Sequence, residues 1–316
     1  MNHEKEWDER REQKGITRRD FLKFCTVVAG ALGLDPAFGP KIFEAFAAGP
    51  RPRVLWLHFA ECTGCTEAVL RTSSPGFADL IFDVISLEYH ETLMAAAGDT
   101  VEKILTTTAQ TYSGQFFCVV EGAIPTADGG VYGWIGGRTM LSIAQEICPK
   151  AKAIIALGNC ASYGGLPAAW PNPTGAAGVE AALGTSLRVP VVNLPGCPPN
   201  PVNFVGTVAN YLLKGSLPSL DADRRPVFAY GNTVHSQCPY RENESRCLED
   251  FGCKGKICHN NCPTIKFNYA TSFPMQAGHP CIGCSEPDFW DRMTPFYQEG
   301  SDGEGSGSES RSGSDD

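Results

Sequence analysis

Residues 54–59 (VLWLHF) form a short, continuous apolar run that leads directly into the polar loop 60–66 (AECTGCT). A run of this length without alternation is typical of a parallel strand that is buried on both faces. Similar runs occupy 84–87, 116–120, 153–157 and 189–194, and they alternate with helix-like stretches at 67–71, 95–110, 138–147 and 201–213. This alternation predicts an α/β fold with a flavodoxin-like, doubly wound parallel sheet.

Length and composition leave room for a second, smaller module. The chain has 316 residues, of which 42% are hydrophobic, and a formal net charge of -9. An acidic balance argues against a nucleic-acid partner, because binding of phosphates requires clustered Lys and Arg. Fourteen cysteines are far more than usual. Their grouping is informative, because disulfides, zinc and iron-sulfur clusters need different spacings.

The N-terminal region has the order of an export signal. A charged stretch ends in 17–23 (TRRDFLK), an apolar run covers 24–34, and a small-x-small site follows at 45–47. The pattern predicts a twin-arginine signal over 1–47, cleaved after Ala47, that directs the chain to the periplasm or the outer face of the membrane. The apolar run is too short for a transmembrane helix. The alternative is a basic amphipathic helix that stays attached.

The remaining chain divides by composition into three parts. Residues 48–215 carry the strand-helix pattern, whereas 216–299 are rich in Pro, Gly and Cys with little periodicity. Such an irregular, cysteine-rich domain cannot bury much apolar surface, so metal ligation is the expected source of its stability. Residues 300–316 contain mostly Gly, Ser and acidic residues, which predicts a disordered tail.

Four cysteines follow predicted strands of the first domain: Cys62, Cys65, Cys160 and Cys197. Because loops at the carboxyl ends of parallel strands converge on one crevice, these thiols are expected to meet there and bind a metal centre. The ligand count suits a [4Fe-4S] cluster and zinc equally. Taken alone, Cys62 and Cys65 also match a thioredoxin-type redox pair.

The second domain contains ligands for two further centres. One four-ligand set consists of His235, Cys238, Cys247 and Cys253, and a three-thiol set consists of Cys262, Cys281 and Cys284. Three thiols suit a [3Fe-4S] cluster, which needs one ligand fewer than a [4Fe-4S] cluster. Pro274 lies in the loop between two of these thiols. Cys258 is either a fourth ligand of this set or a free thiol, and we expect the free thiol.

Several residues of ligand type are left out of the predicted sites. Cys118 lies inside a predicted strand and Cys148 ends a predicted helix, and buried free cysteines are common at such positions. The remaining histidines of this region are expected to be structural: His58, His90, His259 and His279.

Five motifs carry a resemblance to a known family: 61–67 (ECTGCTE), 86–91 (SLEYHE), 120–125 (VEGAIP), 195–199 (PGCPP) and 278–284 (GHPCIGC). In this order they resemble the small subunit of uptake-type [NiFe]-hydrogenases over nearly the whole chain. The resemblance implies a proximal [4Fe-4S] cluster on the four thiols of the first domain. It also implies a medial [3Fe-4S] cluster on the three-thiol set and a distal [4Fe-4S] cluster on the set with His235.

The resemblance further implies an oxidoreductase that acts on hydrogen, with the nickel-iron site on a large-subunit partner. Electrons would leave through the three clusters to a cytochrome or a membrane quinone-reducing subunit, after export by the twin-arginine machinery. Glu61 and Glu121 are candidate proton relays, or simply hydrogen-bond acceptors. Gly64 and Gly165 align with positions where oxygen-tolerant members carry extra cysteines, which implies a conventional, oxygen-sensitive proximal cluster.

Two departures and two alternatives accompany this resemblance. The segment 239–246 is shorter than the family leads us to expect, and Cys258 is an addition. One alternative is a zinc-binding structural or interaction module without redox activity. The other is the small quinone-reductase-type subunit of respiratory complexes, which resembles only the first domain.

Overall fold

The structure is a computed structural model that describes residues 18–48, 51–71, 85–243, 245–268 and 270–297. Its strands are β1 (Arg53–His58), β2 (Ser86–His90), β3 (Phe116–Glu121), β4 (Ile124–Pro125), β5 (Trp134–Ile135), β6 (Arg138–Thr139), β7 (Ala153–Leu157), β8 (Ala176–Ala177) and β9 (Val191–Leu194). Its α-helices are α1 (Arg18–Ala31), α2 (Gly39–Ala48), α3 (Gly64–Leu70), α4 (Asp99–Thr111), α5 (Met140–Ile147), α6 (Asn159–Tyr163), α7 (Val179–Leu183), α8 (Pro201–Lys214), α9 (Val227–Tyr230), α10 (Val234–Gln237) and α11 (Cys262–Ile265).

Five parallel strands form the central sheet in the order β2-β1-β3-β7-β9. The order confirms the predicted flavodoxin-like sheet. Every residue of β3 and β7 is buried, as expected for strands covered on both faces. Because the five strands are parallel, their carboxyl ends lie along one edge of the sheet, and the loops that follow them meet there.

Element boundaries differ from the predicted ones where short turns intervene. Strand β2 runs to His90, and α4 begins at Asp99 after Gly98, whose φ of 60° favours glycine. Residues 138–139 pair with β5 instead of starting a helix. The helix α5 begins at Met140, and the Thr139 hydroxyl caps it by accepting a hydrogen bond from the Ser142 N–H at 3.1 Å.

The apolar run of the predicted export signal is folded against the rest of the chain. Helices α1 and α2 form a hairpin whose buried side chains, including Phe21, Val28 and Ile42, share a core with Phe204 and Val208 of α8. The first 17 residues of the predicted signal lie outside the described chain. None of the described helices is long and apolar enough to cross a membrane.

The chain after Gly215 consists of short helices, 3-10 turns and loops. Its small buried cluster contains Val234, Phe273 and Met275 together with four cysteines. Side-chain amides attach this segment to the first domain: Asn159 Nδ2 donates to the carbonyls of Cys284 and Glu286 at 3.0 and 2.9 Å. The predicted tail at 300–316 lies outside the described residues, and the exact domain boundaries stay predictions.

Gly122, directly after β3, is expected to be the glycine least tolerant of a side chain near the first cysteine loop. Its φ is +92°, and an added Cβ would lie 2.7 Å from Glu61 Cβ and 2.8 Å from the Ala60 carbonyl oxygen. Gly114 is the matched control, because its φ is +75° with nothing within 4 Å of an added Cβ. Gly114→Ala should cost about 1–2 kcal/mol of unfolding free energy, and Gly122→Ala about 1–3 kcal/mol more. Denaturant titrations of both variants test this, and equal losses would contradict it.

Candidate metal centres and a buried carboxylate cluster

The four cysteines of the first predicted site lie on loops at the carboxyl edge of the sheet. Cys62 and Cys65 flank a turn between β1 and α3 in which Thr63 adopts a left-handed φ of 62°. Cys160 lies in α6, directly after β7, and Cys197 follows β9. Cys65 is in electrostatic contact with the other three thiols. The structure therefore brings together the four residues that the sequence singled out.

Glycines leave room for this thiol set. A Cβ on Gly158 would lie 2.5 Å from Cys65 Sγ, and one on Gly165 would lie 3.0 Å from Cys160 Sγ. Both glycines have positive φ, at +92° and +51°. The positions of these sulfurs thus depend on neighbouring residues without side chains.

Burial favours the protonated form of three thiols of this site when no metal is bound: Cys65, Cys160 and Cys197. Burial, followed by the charge of Glu121, raises the pKa of Cys65 well above its usual range, and burial raises the pKa of Cys160 to about 12. Burial also raises the pKa of Cys197. Binding of iron must displace these protons, since the thiolate is the ligand. The Leu166 N–H donates to the Cys160 sulfur and supports its charged form.

The three-thiol set lies beside the first site. Cys262 begins α11, and its N–H donates to Asn260 Oδ1 at 3.1 Å. Cys281 and Cys284 flank Gly283, and the Cys284 thiol interacts electrostatically with both of its partners in the set. Burial raises the pKa of Cys284 to about 12. These three sulfurs therefore form a second buried group that fits an iron-sulfur cluster.

The set with His235 is more exposed than the three-thiol set. His235 lies in α10 and Cys238 follows it, while Cys253 is in electrostatic contact with Cys238 and Cys247. The ligand atoms of His235, Cys247 and Glu249 all lie within 4.8 Å of one another. Sequence reasoning missed Glu249, which is exposed and ion-paired with Lys256. The sequence prediction started from the HxxC motif at His235 and Cys238, and an acidic residue two positions after Cys247 gave no comparable signal.

Backbone N–H groups connect the three predicted centres. The Cys197 N–H, from the first site, lies close enough to the Cys284 sulfur of the second to lower the pKa of that thiol. The Cys281 N–H, from the second site, donates to Cys253 Sγ of the third at 3.3 Å. Such N–H groups stabilise thiolate sulfur and tune the potential of a cluster. A backbone N–H of one predicted centre therefore approaches a sulfur of the next.

A single buried carboxylate fixes the first cysteine loop. Glu121, at the end of β3, is 1% exposed. Its Oε1 accepts the N–H groups of Cys65 and Thr66, both at 3.1 Å. Its Oε2 accepts the Thr66 hydroxyl at 2.5 Å and Trp56 Nε1 at 3.2 Å. Both oxygens of Glu121 therefore act as hydrogen-bond acceptors in this structure.

Glu61 begins a chain of contacts that leads away from the first site. Its Oε1 lies 3.4 Å from His58 Nδ1, His58 Nε2 lies 3.4 Å from His90 Nε2, and His90 Nδ1 lies 3.2 Å from the hydroxyl of the exposed Thr92. Burial and the charge of Glu121 raise the pKa of Glu61. Burial and His58 lower the pKa of His90 to about 3, so its ring stays neutral. His58 and His90 were expected to be structural residues, and the structure places them in contact with a candidate relay.

The cysteines excluded from the sites are all buried. Cys118 Sγ and Cys148 Sγ lie 4.0 Å apart in the core of the first domain, away from the described ligand sets. Cys258 instead lies with the three-thiol set, where it is 1% exposed and in electrostatic contact with Cys262 and Cys284.

Two families match this chain. The one described as NADH ubiquinone oxidoreductase, 20 Kd subunit, matches residues 62–211. The one described as the C-terminal part of the NiFe/NiFeSe hydrogenase small subunit matches residues 223–297. The first match agrees with the resemblance of the first domain to a respiratory subunit. The second covers the part of the chain that such a subunit would lack.

Similar proteins cover most of the chain. A periplasmic [NiFe] hydrogenase small subunit from Nitratidesulfovibrio vulgaris is 52% identical over 92% of this chain and 96% of its own length. A quinone-reactive Ni/Fe-hydrogenase small chain from Wolinella succinogenes is 46% identical over 91% of this chain and 85% of its own. The crystal structure of the Ni-Fe-Se hydrogenase from Desulfomicrobium baculatum matches with a TM-score of 0.74 and 35% identity, covering 79% of this chain and 99% of that one.

The buried thiols predict a pH-dependent stability of the metal-free chain. Thiols whose folded pKa is raised contribute stability below their unfolded pKa of about 8.5 and lose it as the pH rises through the folded pKa. Cys160 and Cys284, with pKa values of about 12, fall in this class. The unfolding free energy should therefore fall above pH ~8.5 by about 1.4 kcal/mol per pH unit for each such thiol. Denaturant titrations at several pH values test this. In Cys160→Ser, the unfolding free energy should fall less steeply with pH, by the contribution of one thiol. An unchanged pH slope in that variant would contradict the assignment.

Proposed function

This chain belongs to the small subunits of [NiFe]-hydrogenases, and from that premise we propose that it carries three iron-sulfur clusters in series. It is the electron-transferring subunit of an oxidoreductase that acts on hydrogen, and its partner is the large subunit. Family membership gives no support to the alternative of a zinc-binding interaction module. We assign a proximal [4Fe-4S] cluster to Cys62, Cys65, Cys160 and Cys197, a medial [3Fe-4S] cluster to Cys262, Cys281 and Cys284, and a distal [4Fe-4S] cluster to His235, Cys238, Cys247 and Cys253.

The observation that carries this proposal is the close approach of neighbouring ligand sets. The Cys281 N–H donates to Cys253 Sγ at 3.3 Å, and the Cys284 thiol interacts electrostatically with Cys197. Ligand sets in such contact place their metal centres close together. When bound, the clusters supply one-electron chemistry, and the order of the ligand sets determines the path from the partner to the acceptor.

The residues around the ligands differ between the proximal and distal ends of the proposed electron path. At the proximal end, Gly64 and Gly165 border the ligands, since their added Cβ atoms would lie 3.1 Å from Cys62 Sγ and 3.0 Å from Cys160 Sγ. No thiol is available at these positions, which supports a conventional, oxygen-sensitive cluster. At the distal end, the neutral imidazole of His235 replaces a thiolate, and this substitution raises a cluster's potential.

The location and the acceptor are proposed from the signal and from similar proteins. The twin-arginine pattern supports export to the periplasm or the outer face of the membrane by the twin-arginine machinery. A similar protein is named periplasmic, and another is named quinone-reactive. The proposed acceptor is accordingly a cytochrome or a membrane quinone-reducing subunit.

Glu61 is the better of the two candidate proton relays. Its Oε2 is buried and makes no hydrogen bond within the described chain, whereas both oxygens of Glu121 are occupied. A carboxyl with a raised pKa exchanges protons closer to neutral pH. Glu61 would hold a proton beside the proximal ligands and pass it along His58 and His90 to the surface at Thr92.

The cluster assignment predicts the metal content of the purified complex. About eleven iron atoms per small subunit are expected, with matching acid-labile sulfide and an oxidised [3Fe-4S] EPR signal. Nickel should be present only with the large subunit. Elemental analysis and EPR of the complex and of the isolated chain provide the measurement. Zinc without sulfide would overturn the proposal, and about twelve irons without the three-iron signal would overturn the medial assignment.

The relay assignment predicts a specific effect of Glu61→Gln. The amide keeps the shape and hydrogen-bonding capacity of the side chain but cannot carry a proton, so hydrogen oxidation by the complex should slow roughly tenfold or more. Cluster EPR signals should stay unchanged, and Glu61→Asp should restore part of the rate. Glu67→Gln, on the exposed side of α3, is the matched control. A wild-type rate in Glu61→Gln would show that Glu61 is only a hydrogen-bond acceptor.

A further inference from the structure

Asn159 stands at the start of α6, next to two ligands of the proposed proximal cluster. It directly precedes Cys160, and only 1% of it is exposed. Its backbone N–H donates to the Gly196 carbonyl at 2.9 Å, and Gly196 directly precedes Cys197. The backbone of Asn159 therefore holds together the loops that carry these two proximal ligands.

The side chain of Asn159 reaches the medial set. Its Nδ2 donates to the carbonyl of the medial ligand Cys284 at 3.0 Å and to the Glu286 carbonyl at 2.9 Å. Both acceptors are carbonyl oxygens, so only the NH₂ end of the amide can face them. The other amide atom, Oδ1, accepts no hydrogen bond within the described chain. The two carbonyls of the medial loop therefore fix the orientation of the amide.

Arg225 holds the same medial turn through separate contacts. Its Nη1 donates to the Ser285 carbonyl at 3.3 Å and lies 3.2 Å from each carboxylate oxygen of Glu286. Only 5% of the Arg225 side chain is exposed, and removing a partner from such a buried ion pair is strongly destabilising. Because these contacts do not involve Asn159, loss of the Asn159 amide should shift the turn at 284–286 without releasing it.

We propose that Asn159 is a positioning residue that fixes the separation between the proximal and medial clusters. This inference rests on the proposed function, because it assumes that Cys160 and Cys197 ligate one cluster and Cys284 the next. A buried carbonyl without a donor is unfavourable, so the medial turn would move if the amide were removed. The rate of electron transfer between two centres falls steeply with their distance. Asn159 would thus control the first transfer within this chain.

The test is EPR of the reduced large-small complex, in which the proximal and medial clusters are both paramagnetic and broaden each other's signals. Asn159→Leu keeps the size of the side chain but removes both donors. A methyl group also needs a wider contact with a carbonyl oxygen than an N–H donor does. The two loops should therefore move apart, and the proximal signal should lose part of its broadening.

Asn210→Leu is the matched control. Asn210 is 4% exposed, and its Nδ2 donates to the Ser216 carbonyl at 3.0 Å, outside the ligand loops. This variant should keep the wild-type line shape. A narrowing of equal size in Asn210→Leu would indicate a general loosening of the fold and would overturn the inference.

Iron content separates the remaining outcomes. If Asn159→Leu keeps about eleven irons and the wild-type broadening, the inference is overturned. If it loses the medial signal while the proximal and distal signals remain, Cys284 has been displaced and the inference is supported. If Asn159→Leu does not assemble, Asn159→Ala takes its place, since it leaves room for water to satisfy the carbonyls without a fixed link. Weaker broadening in Asn159→Ala supports the inference, and wild-type broadening contradicts it. A wild-type complex without iron-sulfur signals would instead refute the proposed function.

Discussion

The buried carboxylate of Glu121 ties the first cysteine loop to the central strand of the sheet. It stands at the end of β3, between β1 and β7, and accepts hydrogen bonds from Trp56, Cys65 and Thr66. A buried charge is tolerated only when it is fully hydrogen-bonded, and hydrogen bonds to a charged acceptor are stronger than neutral ones. Because these donors belong to β1 and to the start of α3, the carboxylate fixes the direction in which Cys62 and Cys65 leave the sheet.

Beyond the first domain, backbone hydrogen bonds in turns take over much of the role that apolar packing has in the sheet domain. The segment after Gly215 has a small core in which cysteines take the place of larger apolar side chains. Without metal, burial raises the pKa of the Cys262 and Cys284 thiols in this segment. Ligation would stabilise the segment, because binding energy in such a segment is also folding energy. The N–H groups of Cys197 and Cys281 would then each stabilise a ligand sulfur of the neighbouring site.

The helical hairpin at the N-terminus adds a contact that composition did not suggest. Helices α1 and α2 cover an apolar face of α8 that includes Phe204 and Val208. Cleavage after Ala47, as the signal pattern predicts, would remove this cover.

Much of the fold could be predicted from the sequence, and the structure brings together the thiols that the sequence had grouped. Continuous apolar runs and their alternation with helices determined the parallel sheet, since strands buried on both faces cannot alternate polar and apolar residues. Spacing and the placement of cysteines after strands grouped the ligands, because parallel strands present their carboxyl ends at one edge.

Only the tertiary structure decided which groups touch across the chain. Contacts of Glu121 with Thr66, of His58 with His90 and of Cys258 with Ser285 join residues from different loops and strands, and no local pattern encodes such distances. Short elements such as β6, and the start of α4 after Gly98, also depended on neighbouring chain rather than on propensity. Local periodicity reports burial and chain direction, whereas hydrogen-bond partners are selected only when the packed elements bring donors and acceptors together.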